Sequence, residues 1–130
     1  MSKLLKGTFL AHAIVCLVLG AACLLAPGRV LGWLGFPGLD AMANFFARLL
    51  GAALLALAWI SYRAWQATEW PRVAALVEGE LVFTLLGCAG LLRLGITGHW
   101  PWLLWVSLAI LAAFAVLWLA AFLTRPQAKH

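Results

Sequence analysis

Long apolar runs broken by short polar or proline-bearing stretches dominate this chain, and they divide it into four segments of helix-spanning length. The runs cover Thr8 to Ala26, Ala41 to Tyr62, Val73 to Leu92 and Trp102 to Thr124. Each reaches the roughly 20 residues that a helix needs to cross hydrocarbon. Pro27, Pro37, Pro71, Pro101 and Pro126 fall between or just outside the runs, where a missing backbone N–H breaks no internal helix bond. The pattern predicts an all-α polytopic membrane protein in which residues 1–130 form a single four-transmembrane-helix bundle.

Composition supports that reading. Apolar residues make up 66% of the chain and charged residues only 10%, with a mean hydropathy of +1.05. Soluble domains hold about 45 to 50% apolar and about 25% charged residues. Four spans leave little chain for an extramembrane domain. The net charge of +5 sits at helix ends rather than on one basic face, so nucleic acid is not an expected partner.

Charge placement predicts orientation. Lys3, Lys6, Arg63, Arg72, Arg125 and Lys129 lie on one side of the predicted spans, against Arg29 and Arg93 on the other. By the positive-inside rule both termini of this multi-pass protein are expected to be cytoplasmic. Trp33, Trp100, Trp102 and Trp105 fall near the outer interface, and Trp59, Trp65 and Trp70 near the inner one, as amphipathic indoles prefer. Lys3 and Lys6 before an apolar run that ends Gly20-Ala21-Ala22-Cys23 also resemble a lipoprotein signal. The run continues past that site, so an uncleaved first span is expected.

Glu78 and Glu80 interrupt the third span. A charged side chain at mid-bilayer costs roughly 2.5 to 3.5 kcal/mol on insertion scales, so such residues face a bundle interior, find partners or mark a pathway. Successive residues turn by about 100°, which places the two carboxyls about 200° apart around the helix. Glu80 shares its face with Thr84, Gly87 and Cys88 and is expected inside, whereas Glu78 lies with Val82 and Leu85. Comparable stripes run through Thr8, His12, Cys16, Gly20 and Cys23, and through Asp40, Asn44, Arg48 and Gly51. The fourth span offers only Ser107 and is expected to be the outer helix.

Depth pairs these residues. At about 1.5 Å of rise per residue, His12, Glu78 and Glu80 lie about 8, 9 and 12 Å from the same end of their spans, so a histidine–carboxylate contact is geometrically reasonable. Arg48 lies towards the other end, with Asp40 as its nearer charge and Asn44 between. Candidate ligand-binding or proton-exchange residues are therefore Glu80, His12, Glu78, Arg48, Asn44 and Thr84. Cys16, Cys23 and Cys88 form no Cys-x-x-Cys pair and read as buried small hydrophobes. No metal, haem or nucleotide motif is present, and no cofactor is expected.

The first loop, Pro27 to Asp40, is expected to be an interfacial turn, because Gly28, Gly32, Gly35 and Gly38 disfavour regular helix and Asp40 can cap the second span. Arg63 to Arg72 reads as a solvated connector. Leu19 to Leu25 loosely matches Leu86 to Leu92, which would make the two hairpins parallel copies.

Leu25-Ala26-Pro27, Phe46-Ala47-Arg48-Leu49-Leu50-Gly51-Ala52 and the helix end from Trp59 to Arg63 resemble small uncharacterised four-span bacterial membrane proteins grouped loosely with the DoxX-like proteins. The resemblance covers the first two spans and implies an inner-membrane helix bundle without an established activity. The residues themselves allow three functions. The first is non-catalytic binding of a hydrophobic small molecule or membrane lipid, or service as an accessory subunit of a larger complex or homo-oligomer. The second is proton-coupled transport through Glu80 with His12 as its neighbour. The third is isomerase-like chemistry with Glu80 and Glu78 as acid and base.

Overall fold

The computed structural model describes residues 1–33, 35, 38–98 and 101–124. Trp100, Pro37, Pro126, Arg125 and Lys129 lie outside the described residues. The chain is all-helical among the described residues: α1 (Lys3–Leu25), α2 (Pro27–Trp33), α3 (Ala41–Gln66), α4 (Ala74–Thr97) and α5 (Trp102–Leu123), with a 3₁₀ turn at Trp70–Arg72. Four of these helices are long and apolar enough to cross a membrane.

The helices outrun the apolar segments. α3 continues four residues past Tyr62, through Arg63-Ala64-Trp65-Gln66, and α4 runs on to Thr97. Alanine, arginine and glutamine are good helix formers, so the backbone has no reason to stop where the hydrocarbon does. The expected ten-residue connector from Arg63 to Arg72 shrinks accordingly to a few residues and the 3₁₀ turn.

α2 departs from the expected irregular turn. Pro27 opens it, where a missing N–H costs nothing, and Val30 N–H donates to the Ala26 carbonyl at 3.0 Å. Gly28 and Gly32 are carried inside this short helix. The glycines beyond it are used differently, since Gly35 (φ 93°) and Gly38 (φ 60°) occupy the left-handed region that glycine alone enters freely. Asp40 caps α3 as expected, accepting from Ala43 N–H at 2.7 Å.

Two hairpins make the bundle. α1 packs along α3, α4 packs along α5, and the hairpins join mainly where α1 meets α5. The α1–α3 crossing is close enough to bring backbone against backbone: a Cβ on Gly51 would stand 2.6 Å from Leu24 N and 2.8 Å from Gly20 O. Small residues permit this approach in lipid, where burying apolar surface gives no advantage over exposing it. In the second hairpin, Gly87 receives the Leu111 side chain. Gly20 and Gly87, which align in the two matching segments, both sit against the next long helix of their own hairpin, whereas Gly90 of the second segment faces open space.

The shared core lies at the end of the bundle that holds the start of α1. Leu5, Phe9, Ala64, Val73, Val77, Phe114, Trp118 and Ala121 pack there, drawn from all four long helices. Trp118 is wholly buried, so α5 is a core helix and not the outer member expected from its lack of polar residues. Large apolar side chains such as Leu17, Leu86 and Val116 point outward, as a lipid-facing surface requires. Trp59 lies towards the core end, and Trp33, Trp102 and Trp105 towards the other, all at least half exposed.

Candidate functional site

The buried polar and charged side chains among the described residues are Thr8, His12, Ser61, Glu80 and Thr84. His12 links three of the four long helices by polar contacts. Its Nδ1 stands 2.8 Å from Ser61 Oγ on α3, and its Nε2 stands 3.5 Å from Glu80 Oε2 on α4. Cys16 Sγ, one turn along α1, approaches Nε2 at 3.4 Å. α5 closes the group with two aromatic rings, Phe114 and Trp118, whose centroids lie 5.0 and 5.7 Å from the imidazole, edge to face.

These contacts order the protons. A carboxylate on Glu80 favours the tautomer with hydrogen on Nε2, so that Nδ1 accepts from the Ser61 hydroxyl. A protonated Glu80 reverses the chain: the acid O–H donates to Nε2, and Nδ1–H donates to Ser61 Oγ. Ser61, His12 and Glu80 therefore lie in a row in which the Ser61–His12 bond can invert its donor direction, while the 3.5 Å from Nε2 to Glu80 Oε2 would have to shorten before a proton passed.

Glu80 is 7% exposed, and its Oε2 has no partner of hydrogen-bonding geometry. The 3.5 Å separation from His12 counts as an ion-pair distance, but it is too long for a good hydrogen bond. The indole Nε1 of Trp118 is likewise buried without an acceptor. Such groups are uncommon, because each forfeits its hydration.

Two clefts lie near this group, and Glu80 lines one of them. One of about 210 Å³ is lined by Glu80 and by Leu57, Ala75, Leu76, Gly79 and Phe83, between α3 and α4, which share no close backbone packing. The other, of about 170 Å³, reaches His12, Cys16, Thr84, Ser107 and Phe114. Phe83 borders both.

The other expected site residues go elsewhere. Thr84 is buried beside Glu80, but its hydroxyl donates back to the Glu80 main-chain carbonyl at 2.8 Å. Glu78 is exposed on the face of Val82 and Leu85 and does not meet Glu80's site, which removes the basis for a shared acid–base pair. Arg48 and Asn44 form a separate group near the far end of α1. Arg48 Nη1 donates to the Leu24 carbonyl at 2.8 Å and its Nε to Asn44 Oδ1 at 3.1 Å. The expected Arg48–Asp40 pair is replaced by this bond to a carbonyl in the last turn of α1, while Asp40 serves as a cap.

Ser61, Phe114 and Trp118 were not among the expected site residues. Ser61 could have been found by extending the second span's small-residue stripe, since Gly51, Ala58 and Ser61 are spaced by seven and three. The aromatics carry no such signal in a helix that is apolar all round. Cys16 is buried as expected, whereas Cys23 and Cys88 are only half-buried, and all three thiols are free. No group of three or more potential metal ligands occurs among the described residues.

No protein-family model matches the chain, and no curated protein or solved structure matches it.

Proposed function

We propose that this protein binds a hydrophobic molecule within the bilayer, without catalysis, and holds its one polar group at Glu80. The observation that carries the reading is that Glu80, a buried carboxyl whose Oε2 has no hydrogen-bond partner, lines an otherwise apolar cleft. A buried acceptor lacking a donor costs about 1 to 3 kcal/mol, and a ligand hydroxyl or amide would recover it. The cleft lies where α3 and α4 stand apart, so such a molecule enters sideways from lipid. An accessory role in a homo-oligomer or larger complex is compatible with the same site. The resemblance to DoxX-like proteins fits a small bundle of this kind and adds no activity. Cations at the core end, Lys3, Lys6, Arg63 and Arg72, favour placing that end in the cytoplasm of a bacterial inner-membrane protein.

Native mass spectrometry of wild type and Glu80→Gln from mild detergent tests the proposal. A specific small molecule retained by wild type and weakened in the variant is the expected result. A wild-type spectrum holding only detergent and bulk lipid would sink it.

A second reading, proton-coupled transport, rests on the Ser61–His12–Glu80 row. It requires that Glu80→Gln abolish proton uptake in proteoliposomes while folding and ligand binding persist.

A further inference from the structure

Beyond the Glu80 cleft, the end of the α3–α4 gap forms a second groove of about 370 Å³, and its chemistry differs. Arg63, Gln66 and Arg72 give it a cationic, hydrogen-bonding rim, and Trp59, Ile60 and Leu76 give it an apolar wall. Arg63 is exposed and has no hydrogen bond or ion pair among the described residues. Arg72 meets Glu69 only through Nε, at 3.3 Å, with both side chains more than half exposed. A pair so open to water holds weakly and yields readily to a better acceptor.

We infer that this groove is a binding site for an anionic phospholipid, with the phosphate between Arg63 and Arg72 and an acyl chain against Ile60 and Leu76. Guanidinium groups match phosphate oxygens with paired N–H donors, and two of them beside an indole place that charge at headgroup level. Basic pockets between membrane helices bind anionic headgroups for this reason. A soluble anion would use the rim but leave the apolar wall empty, which is why a lipid fits better. Lys3 and Lys6 at the same end add to the attraction, while Glu69 and the exposed Glu78 oppose it. Leu76 also borders the Glu80 cleft, so the bound chain would form that cleft's outer wall. The inference does not depend on the ligand proposed at Glu80.

The test titrates detergent-solubilised protein with dioleoylphosphatidylglycerol or dioleoylphosphatidylcholine and counts retained lipid by native mass spectrometry. Wild type is expected to prefer the anionic lipid, and Arg63→Gln and Arg72→Gln are each expected to weaken that preference about fivefold, at roughly 1 kcal/mol per basic residue. Arg29→Gln at the opposite end should leave it unchanged, with helical content checked by circular dichroism. Equal retention of both lipids, a preference that survives in the double variant, or an equal loss in Arg29→Gln would overturn the site. Displacement of the lipid by millimolar inorganic phosphate would assign the rim to a free anion instead. A self-associated species lost in Arg63→Gln, with no lipid bound, would assign the groove to a second copy.

Discussion

His12 Nε2 and Glu80 Oε2 stand 3.5 Å apart, with side chains only 6% and 8% exposed, and this contact is the polar join between the two hairpins. Among the described residues, α1 also meets the second hairpin through aromatic contacts, chiefly Phe9 and the imidazole against Trp118. The histidine therefore matters to assembly whatever the site binds.

His12→Leu should destabilise the protein more than Glu80→Gln. Leucine strands the Ser61 hydroxyl and takes the imidazole away from Glu80, whose Oε2 already lacks a hydrogen bond, whereas glutamine keeps the Ser61–His12 bond and a polar group near Nε2. Each stranded buried group costs about 1 to 3 kcal/mol, towards the lower end where the unfolded helices find other partners in the membrane. Thermal unfolding in one detergent compares the variants, and equal midpoints would refute the ordering.

A double-mutant cycle on His12→Ala and Ser61→Ala should return a coupling of about 0.6 kcal/mol and no more than about 1.7, the average and the maximum for interhelical hydrogen bonds in membranes. Additive losses would mean that the 2.8 Å contact contributes nothing to stability.

Gly51 and Gly79 should respond in opposite senses to alanine. At Gly51 the new methyl meets backbone of α1 at 2.6 to 3.0 Å, which no rotamer change can relieve, and overpacking of this sort costs about 1 to 3 kcal/mol. At Gly79 nothing lies within 4 Å, and alanine exceeds glycine in helix propensity by about 1 kcal/mol. Unfolding midpoints that fall for Gly51→Ala and hold or rise for Gly79→Ala are expected.

Trp118→Phe should be nearly neutral, because it removes an indole N–H that already lacks an acceptor and keeps a ring beside His12. Trp118→Ala should cost about 3 to 5 kcal/mol, the usual loss for an emptied aromatic position. A large loss in the phenylalanine variant would show that Nε1 has a partner in the membrane.

The sequence revealed the spans and the His12–Glu80 contact because both follow from one-dimensional quantities, run length and depth. Facing was legible where a helix mixes polar and apolar residues, so Glu80 inside and Glu78 outside could be read from a rotation of about 200°. α5 gave no such contrast, and Trp118 could not be told from its lipid-facing neighbours. The Arg48 bond was hidden for another reason: its acceptor is the Leu24 carbonyl, and main-chain acceptors look alike in every residue. α2 formed across two glycines because propensity is a weak prior that surrounding structure overrides.

The Gly20–Gly51 crossing welds α1 and α3 into one rigid leaf, while α4 and α5 make a second leaf that meets the first across a short core and one polar join. The two leaves pack on each other less extensively than the helices within each leaf do. Rocking of one leaf against the other would widen or narrow the slot between α3 and α4 while leaving every bond within a leaf intact. The contact between His12 and Glu80 lies in that seam, one residue on each leaf.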